Sequence, residues 1–228
     1  MKPIAIFYHS LFYLGNPPEL KPNAVNIVGE QMSTLKSSGL EEAANEIHIG
    51  VNGGIESESK AMEMFPAKSG IVYHGLESRA ENLTLVMIEK WVKEHPGWVV
   101  FYFHCKGATH AQGSDYELFS ARWRRCMMKH GVTNWQAAVS ELETHDAVGC
   151  HWLTGMGSDQ SQHFFAGNFW WATSDFLATL PSIYERARIK ESGIASLESR
   201  YEAEVWIGNG RMPKIKDLET THGLAQCP

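Results

Sequence analysis

The chain contains one short segment in which a histidine, a cysteine and a lysine follow directly on a strongly apolar run. His104, Cys105, Lys106 and Gly107 come after Trp98–Phe103, which is apolar at every position. Such a run predicts a β-strand covered on both faces, and in open α/β sheets ligands bind beyond the carboxyl ends of the strands. Gly107 permits an unusual backbone turn there. We therefore expect His104 and Lys106 to belong to a ligand site.

Polar side chains also follow the other predicted strands of the first half, at His9-Ser10, Asn52-Gly53 and His74-Gly75. A further histidine, His110, raises the alternative of a metal site that it would share with His104. Neither a CxxC pair nor a helically spaced partner completes a zinc set. The metal ligands therefore stay unknown, with His104 as the only candidate.

The segment 163–172 places Gly167 and Asn168 inside a dense run of aromatic residues. A core strand explains its phenylalanines, but a buried asparagine amide would need hydrogen-bond partners. We interpret Asn168, Trp170 and Trp171 as a binding edge. Two charged groups, Arg122–Arg125 and the pair Glu202 and Glu204, are equally consistent with solvated helix faces.

These residues must be positioned by alternating strands and helices. Apolar runs predict strands at Pro3–His9, Glu46–Val51, Gly70–His74 and Trp98–Phe103. Helical spacing predicts a helix at Val25–Ser37 and another that follows a capping-box pattern at Ser78–Glu81. This alternation implies right-handed βαβ units, and hence an α/β fold with a mostly parallel central sheet and helices on both faces.

The second half is more irregular. Helices are predicted at Asp115–His130, Asn134–Thr144, Ser174–Leu180, Ile183–Glu191 and Ser199–Ile207. Strands are predicted at Asp146–Trp152 and Phe164–Ala172. A regular nucleotide-binding half followed by an aromatic-rich half suggests a donor site joined to an acceptor site.

Composition excludes several classes of protein. The 228 residues are 43% hydrophobic and 20% charged, which excludes a disordered chain. A net charge of −6 argues against binding to nucleic acid, which needs a surplus of lysine and arginine. The longest apolar stretch is strand length, so no transmembrane segment is expected, and without a signal peptide the expected location is cytoplasmic. The four cysteines are expected to be free thiols.

Common nucleotide and hydrolase motifs are missing from the sequence. It has no GxGxxG after the first strand, no GxxxxGK[ST] and no GxSxG, which argues against a Rossmann dehydrogenase, a P-loop NTPase and an α/β-hydrolase. It also has no DxD near the predicted strand ends.

Taken in order, several segments resemble GT-A-type nucleotide-sugar glycosyltransferases of polysaccharide assembly. The matching segments are 29–31 with 38–40, 102–107, 123–124, 167–171 with 180–181, and 200–207. The resemblance covers nearly the whole chain. It implies a single GT-A-like, Rossmann-type domain over 1–228, with a nucleotide-binding half at about 1–105 and an irregular acceptor-side half at 106–228.

The resemblance also implies roles for individual residues. A nucleoside-diphosphate sugar, expected to be a UDP-sugar, would be held by a set of residues at strand and helix ends: His9, Ser10, Arg79, Asn82, His104 and Lys106. Asn168, Trp170 and Trp171 would line the pocket for the sugar and a carbohydrate acceptor. Glu204, or Glu202, would be the general base of a hexosyltransferase in polysaccharide or glycan assembly.

The missing DxD is a departure from that family. Without its two carboxylates, the Mn²⁺ or Mg²⁺ that usually bridges to the diphosphate has no such pair to bind. Lys106, with Arg79 or the Arg122–Arg125 cluster, would then stabilise the departing diphosphate instead.

Two alternatives stay open at the level of sequence. One is a non-catalytic module that binds nucleotide sugars or carbohydrate on the same fold. The other is a metal-dependent hydrolase that uses His104, His110 and His163.

Overall fold

A computed structural model describes residues 2–14, 19–21, 23–75, 81–156, 162–183 and 200–219. Its strands are β1 (Ile4–Leu11), β2 (Tyr13–Leu14), β3 (Glu19–Leu20), β4 (Glu46–Asn52), β5 (Ser69–Gly75), β6 (Val99–His104), β7 (Ala147–Gly149), β8 (Trp152–Met156), β9 (Gln162–Phe165), β10 (Trp170–Thr173) and β11 (Ile215–Asp217). Its helices are α1 (Ala24–Ser37), α2 (Leu40–Ala43), α3 (Ile55–Met64), α4 (Asn82–Val92), α5 (Asp115–Met128), α6 (Trp135–Glu141), α7 (Ser174–Leu177) and α8 (Arg200–Val205). A π-helical segment, Lys129–Thr133, extends α5, and a 3₁₀ turn, Trp206–Gly208, extends α8.

Seven of the described strands form one sheet in the order β11-β7-β10-β6-β1-β4-β5. Strands β1, β4, β5 and β6 are parallel to one another, while β10 runs antiparallel between β6 and β7. The short pairs β2-β3 and β8-β9 lie outside this sheet. The prediction of an α/β fold with a mostly parallel sheet is confirmed.

Two hydrophobic cores cover the two faces of the sheet. Helices α1, α2, α3, α5 and α6 pack on one face, and α4, α7 and α8 pack on the other. Strand β6 contributes side chains to both cores, because Phe101 faces the first core and Tyr102 faces the second. Each large side chain buried in this way contributes roughly 1.5–3 kcal/mol relative to an exposed one. The predicted placement of helices on both faces is also confirmed.

The aromatic segment forms two strands and not the single strand predicted at Phe164–Ala172. Gly167 and Asn168 have φ values of +91° and +57°, and they turn the chain between β9 and β10. A Cβ at Gly167 would lie 2.7 Å from the Met127 sulfur, so only glycine fits this turn. The reversal makes β10 antiparallel to β6 and brings Asn168 to the carboxyl end of β6.

The strand predicted at Asp146–Trp152 is also divided. Strand β7 ends at Gly149, and His151 has a left-handed φ of +59°. The carboxylate of Asp217 accepts hydrogen bonds from the backbone amides of His151 and Trp152, at 2.9 and 2.8 Å. These bonds satisfy amides that have left the sheet, and Trp152 begins the separate ribbon of β8 and β9.

Some elements of the structure were not predicted, and one predicted helix lies almost entirely outside the described residues. Helix α3 and strand β11 were not expected from the sequence pattern. The helix predicted at Ile183–Glu191 lies outside the described residues, except for its first residue, Ile183. Across the described part of the chain, no helix is both long enough and apolar enough to cross a membrane.

Candidate functional site

A cleft opens at the carboxyl ends of β1 and β6, where ligands bind in open α/β sheets. We call it the carboxyl-edge cleft. Its lining residues come from the ends of β1 and β6, from the chain after β6, from the N-cap of α4 and from helices α5 and α8. They are His9, Leu11, Glu81, His104, Cys105, Lys106, Gly107, Ala108, Thr109, His110, Ser120 and Glu204. The structure thus brings together four predicted site residues, namely His9, His104, Lys106 and Glu204.

Glu81 lies at the centre of the hydrogen bonds in this cleft. Its Oε2 accepts from the Tyr102 hydroxyl at 2.7 Å and from the Asn168 side-chain amide at 2.8 Å. Burial and the Glu81 carboxylate raise the pKa of Tyr102 well above 10, so this phenol stays protonated and donates. Asn168 in turn accepts from the Trp170 indole at 2.9 Å. The carboxylate of Glu81 is therefore held in one orientation by fixed donors.

His104 connects this carboxylate to the opposite turn. Its Nε2 lies 2.9 Å from the carbonyl oxygen of Gly167, and its Nδ1 lies 3.5 Å from Oε1 of Glu81. Because a carbonyl oxygen only accepts, Nε2 carries a proton and Nδ1 is the atom turned to Glu81. The imidazole is therefore oriented by two partners from distant parts of the chain.

His9 belongs to a group of uncharged side chains at the same edge. Its Nδ1 lies 2.9 Å from the Thr84 hydroxyl, and Nε2 of His74 lies 3.1 Å from the same oxygen. Burial lowers the pKa of His9 well below 6.5 and that of His74 to about 4. A side chain at Gly50 would collide with Thr84 and His74, which explains the glycine in β4. Both imidazoles are neutral near pH 7.

Ser10 is not part of the cleft lining. Successive side chains of a strand point to opposite faces, and Ser10 is fully buried on the other side from His9. Its hydroxyl donates to the carbonyl oxygen of Gly50 at 3.1 Å. The structure therefore assigns Ser10 to the sheet, and this corrects the expectation that it binds the nucleotide.

Lys106 follows β6 in a tight turn. Its backbone amide donates to the carbonyl oxygen of His104 at 2.8 Å, and Gly107 has a left-handed φ of +93°. The Lys106 ammonium group lies 3.9 Å from the centre of the Trp123 ring, a cation–π contact. These contacts hold a cationic side chain at the cleft with most of its surface covered.

The arginine cluster is divided by the helix that carries it. Arg124 is buried; it donates to the carbonyl oxygen of Lys106 at 2.8 Å and pairs with Glu30 at 3.1 Å. Arg122 and Arg125 are exposed and do not line the cleft. Arg124 therefore positions the Lys106 turn, and the cluster does not act as one cationic surface.

The remaining predicted residues have different placements. Glu204 lies half-buried on α8 and lines the cleft, whereas the side chain of Glu202 lies outside the described part of the structure. Arg79 also lies outside the described residues. Asn82 is buried at the start of α4, directly after Glu81, and does not line the cleft.

Trp170 and Trp171 lie inside the two cores. Their exposed fractions are 1% and 0%, and their rings pack on Tyr102 and Phe101 at centroid distances of 5.2 and 4.6 Å. Neither indole has a face open to a ligand, which corrects the interpretation of these tryptophans as a binding edge. Asn168 is buried as well, and it acts on the cleft through Glu81.

Glu81 is the residue that sequence reasoning missed. It was interpreted as the last member of a capping box, but it is the N-cap of α4 and makes no side-chain cap bond. The available signal was its position, since it stands between the third predicted strand and the next helix, where α/β sheets place ligand-binding residues.

The donors of the cleft do not form a metal cage. Within the described ranges, only Cys126, His130 and Glu219 form a group of three close metal-ligating residues, and none of them lines the cleft. The histidine set His104, His110 and His163 is not brought together. Since Oε2 of Glu81 already accepts two hydrogen bonds, the cleft residues do not fit Mn²⁺ or Mg²⁺ held by the protein alone.

Comparisons with known proteins give loose structural likenesses. The chain is similar to 4-diphosphocytidyl-2C-methyl-D-erythritol synthase from Anaerococcus prevotii, at 13% identity and a TM-score of 0.45, over 96% of this chain and 87% of the other. A CMP:2-keto-3-deoxy-manno-octonic acid synthetase in complex with CTP is similar at 8% identity and a TM-score of 0.44, over 96% of this chain and 90% of the other. A Mycobacterium tuberculosis protein in complex with manganese is similar at 10% identity and a TM-score of 0.42, over 96% of this chain and 89% of the other. No property of these proteins is transferred at such low similarity.

Sequence comparison gives a family. None of the curated proteins compared with the chain matches its sequence. One family model, DUF8361, matches residues 7–216, which include most of the central sheet and every described residue that lines the cleft. The chain therefore belongs to the DUF8361 family, whose description is a domain of unknown function.

Proposed function

We propose that the carboxyl-edge cleft binds a nucleoside-diphosphate sugar, preferentially a UDP-sugar, and that the protein transfers the sugar to a carbohydrate acceptor in glycan assembly. One observation carries the proposal: a cationic lysine, an oriented imidazole and two carboxylates meet at the carboxyl ends of β1 and β6. The resemblance of the sequence to GT-A-type glycosyltransferases supports the same function.

Lys106 is the group that meets the diphosphate. In the proposed reaction, the bond between the anomeric carbon and the diphosphate oxygen breaks, and the nucleoside diphosphate leaves with the bonding electrons. Negative charge builds on that leaving group, so a fixed cation stabilises the transition state. The ammonium group over Trp123 supplies that cation without a cage of metal ligands.

Glu204 is the general base of this proposal. The acceptor hydroxyl forms the new bond to the anomeric carbon and loses its proton, which a carboxylate within hydrogen-bond reach can take. Tyr102 and Asn168 donate hydrogen bonds to Glu81 and fix its carboxylate. We assign Glu81 the positioning of His104, whose Nδ1 faces it.

The two halves of the chain then have separate tasks. His9, Glu81 and His104 lie in the part before residue 105, which we assign to the donor. Glu204 lies in the part after residue 106, which we assign to the acceptor. Lys106 lies at the boundary between the donor part and the acceptor part, next to the bond between the sugar and the diphosphate.

A non-catalytic binding module is the second candidate. The observation that favours it is the lack of a three-ligand metal group among the described residues of the cleft. The two candidates differ in chemistry: a transferase slowly hydrolyses its sugar donor when water replaces the acceptor, and a binding module does not.

A thermal-shift panel of nucleoside-diphosphate sugars, with and without Mn²⁺, tests the proposal. A ligand at 100 times its Kd stabilises the folded state by about 2.7 kcal/mol, which a melting curve detects readily. We expect a UDP-sugar to raise the melting temperature of the wild type, and to do so less in Lys106→Ala. Melting curves that no nucleotide sugar shifts would overturn the proposed function.

A further inference from the structure

A group of metal-ligating side chains lies away from the cleft. Cys126 comes from α5, His130 from the π-helical segment after it, and Glu219 from the chain that follows β11. Their donor atoms all lie within 4.8 Å of one another. None of the three lines the carboxyl-edge cleft, so this group does not depend on the proposed function.

Two more donors border this group from the end of β7. A hydrogen bond with the Cys126 thiol, together with burial, raises the pKa of the Cys150 thiol. Nε2 of His151 lies 3.8 Å from Sγ of Cys126. Three separate segments of the chain therefore bring sulfur, nitrogen and oxygen donors close together.

The local backbone is unusual on two sides of the group. The helix that carries Cys126 and His130 widens into a π-helical turn at Lys129–Thr133, a feature found mostly at functional sites. His151 has a φ of +59°, which is uncommon for any residue other than glycine. Both irregularities lie at residues that border Cys126.

We propose that this group binds a structural Zn²⁺ ion through Cys126, His130 and Glu219, and that the neighbouring Cys150 thiol moves in as the fourth ligand. A set of thiolate, imidazole and carboxylate donors suits zinc, and structural sites are closed and four-coordinate. Cys126 and Cys150 are 4% and 3% exposed, which suits a closed site. On binding, the protons of both thiols pass to the solvent as the thiolates form.

The separation of the His130 and Glu219 donors suits a tetrahedron around zinc. Bonds of 2.0–2.3 Å to the ion place neighbouring ligand atoms roughly 3.3–3.8 Å apart. Nε2 of His130 and Oε2 of Glu219 are separated by 3.7 Å. The donors of Cys126, His130 and Glu219 therefore need modest side-chain adjustments, whereas Cys150 must move further because it does not belong to the group within 4.8 Å.

Zinc would fasten the chain after β11 to the carboxyl end of α5. The same helix carries Arg124, which holds the backbone of the Lys106 turn at 2.8 Å. An ion at Cys126 would thus fix the end of the helix that also carries Arg124.

Metal analysis of untagged protein tests this proposal. We expect close to one zinc per chain, and a loss of at least tenfold in Cys126→Ser and His130→Ala. Matched controls are Cys105→Ser, another buried thiol, and His145→Ala, a histidine that pairs with Glu141. Both controls should keep the zinc of the wild type.

A measurement on the wild type avoids dependence on the folding of any variant. Chelation should lower the melting temperature, zinc should restore it, and Co²⁺ added to the apo-protein should give a thiolate-to-cobalt charge-transfer band. Fresh protein without zinc that also fails to bind Co²⁺ would overturn the proposal. So would a Cys126–Cys150 disulfide in the protein as isolated, or unchanged zinc in folded His130→Ala.

Discussion

The side-chain amide of Asn168 donates a hydrogen bond of 2.8 Å to the carboxylate of Glu81, although the two residues are 87 positions apart in the chain. Asn168 can do so because it occupies the left-handed region, at φ +57°, in the turn before β10. Its side-chain oxygen, Oδ1, accepts a hydrogen bond from the Trp170 indole, so the amide has a single possible orientation. The buried asparagine thus links a core tryptophan to the cleft.

Replacing Asn168 with aspartate should make stability depend on pH. Two carboxylates at hydrogen-bond distance cannot both ionise easily, so the pair holds a proton more tightly in the folded state than in the unfolded chain. Stability should therefore be lost as pH rises, by about 1–3 kcal/mol at pH 8 for the lost hydrogen bond, and be regained towards pH 5. Urea unfolding at both pH values measures this.

The matched control is Asn26→Asp, at an exposed position of α1. It should change the unfolding free energy little at either pH. A difference between Asn168→Asp and the wild type that stays the same from pH 5 to pH 8 would show that the Glu81 carboxylate does not face the new one.

Glu204→Gln should abolish sugar transfer and leave donor binding intact. The amide keeps the shape of the side chain but cannot take a proton, so only the step that needs a base is lost. Turnover with an acceptor and the Kd of the donor, measured in parallel, separate the two effects. Glu94→Gln, an exposed glutamate after α4, should behave as the wild type. Full turnover in Glu204→Gln would remove Glu204 from the role of base, and full turnover in Glu202→Gln as well would favour a retaining mechanism.

Lys106→Ala should weaken binding of a nucleoside diphosphate by roughly 10- to 150-fold. A hydrogen bond to a charged group contributes about 1.5–3 kcal/mol, and each 1.4 kcal/mol changes Kd tenfold. Calorimetry at low and high salt checks the charge contribution, which should shrink as salt rises. Lys36→Ala, at an exposed position of α1, is the control. Equal Kd values in Lys106→Ala and the wild type would place the diphosphate elsewhere.

The sheet could be predicted from the sequence because its signals are local. The apolar run before His104 and the helical spacing of Val25–Ser37 each appear in the structure within two residues of their expected bounds. The division of the aromatic segment could not be predicted, because the turn at Asn168 depends on contacts with Glu81 and Met127 from distant parts of the chain.

The difference between local signals and contacts from distant parts of the chain also explains which residues of the candidate site were predicted and which were missed. Residues that follow a strand, such as His9 and Lys106, could be placed at the candidate cleft because the edge of the sheet is implied by its topology. Glu81 was hidden by a plausible helix-capping pattern, since its neighbours Tyr102 and Asn168 become visible only after folding. The tryptophans of β10 were misassigned because an aromatic run does not reveal which face is covered.

His74 and His9 should make the protein less stable in weak acid. Their pKa values in the folded state lie below the unfolded value of about 6.5, at about 4 for His74, so the unfolded chain binds more protons between these limits. Stability should therefore fall as pH drops from about 6.5 to about 4. Asp146, whose pKa the Arg211 guanidinium lowers from 3.8, loses its stabilising effect only below that window.

His74→Gln isolates one of the two histidines. Glutamine can still hydrogen-bond Thr84 but does not titrate, so the fall in urea midpoint between pH 6.5 and pH 4 should be shallower than in the wild type. Burial is the largest cause of the low pKa at both positions, and the remaining slope should come chiefly from His9. Identical slopes in the variant and the wild type would mean that His74 is not held neutral by the fold.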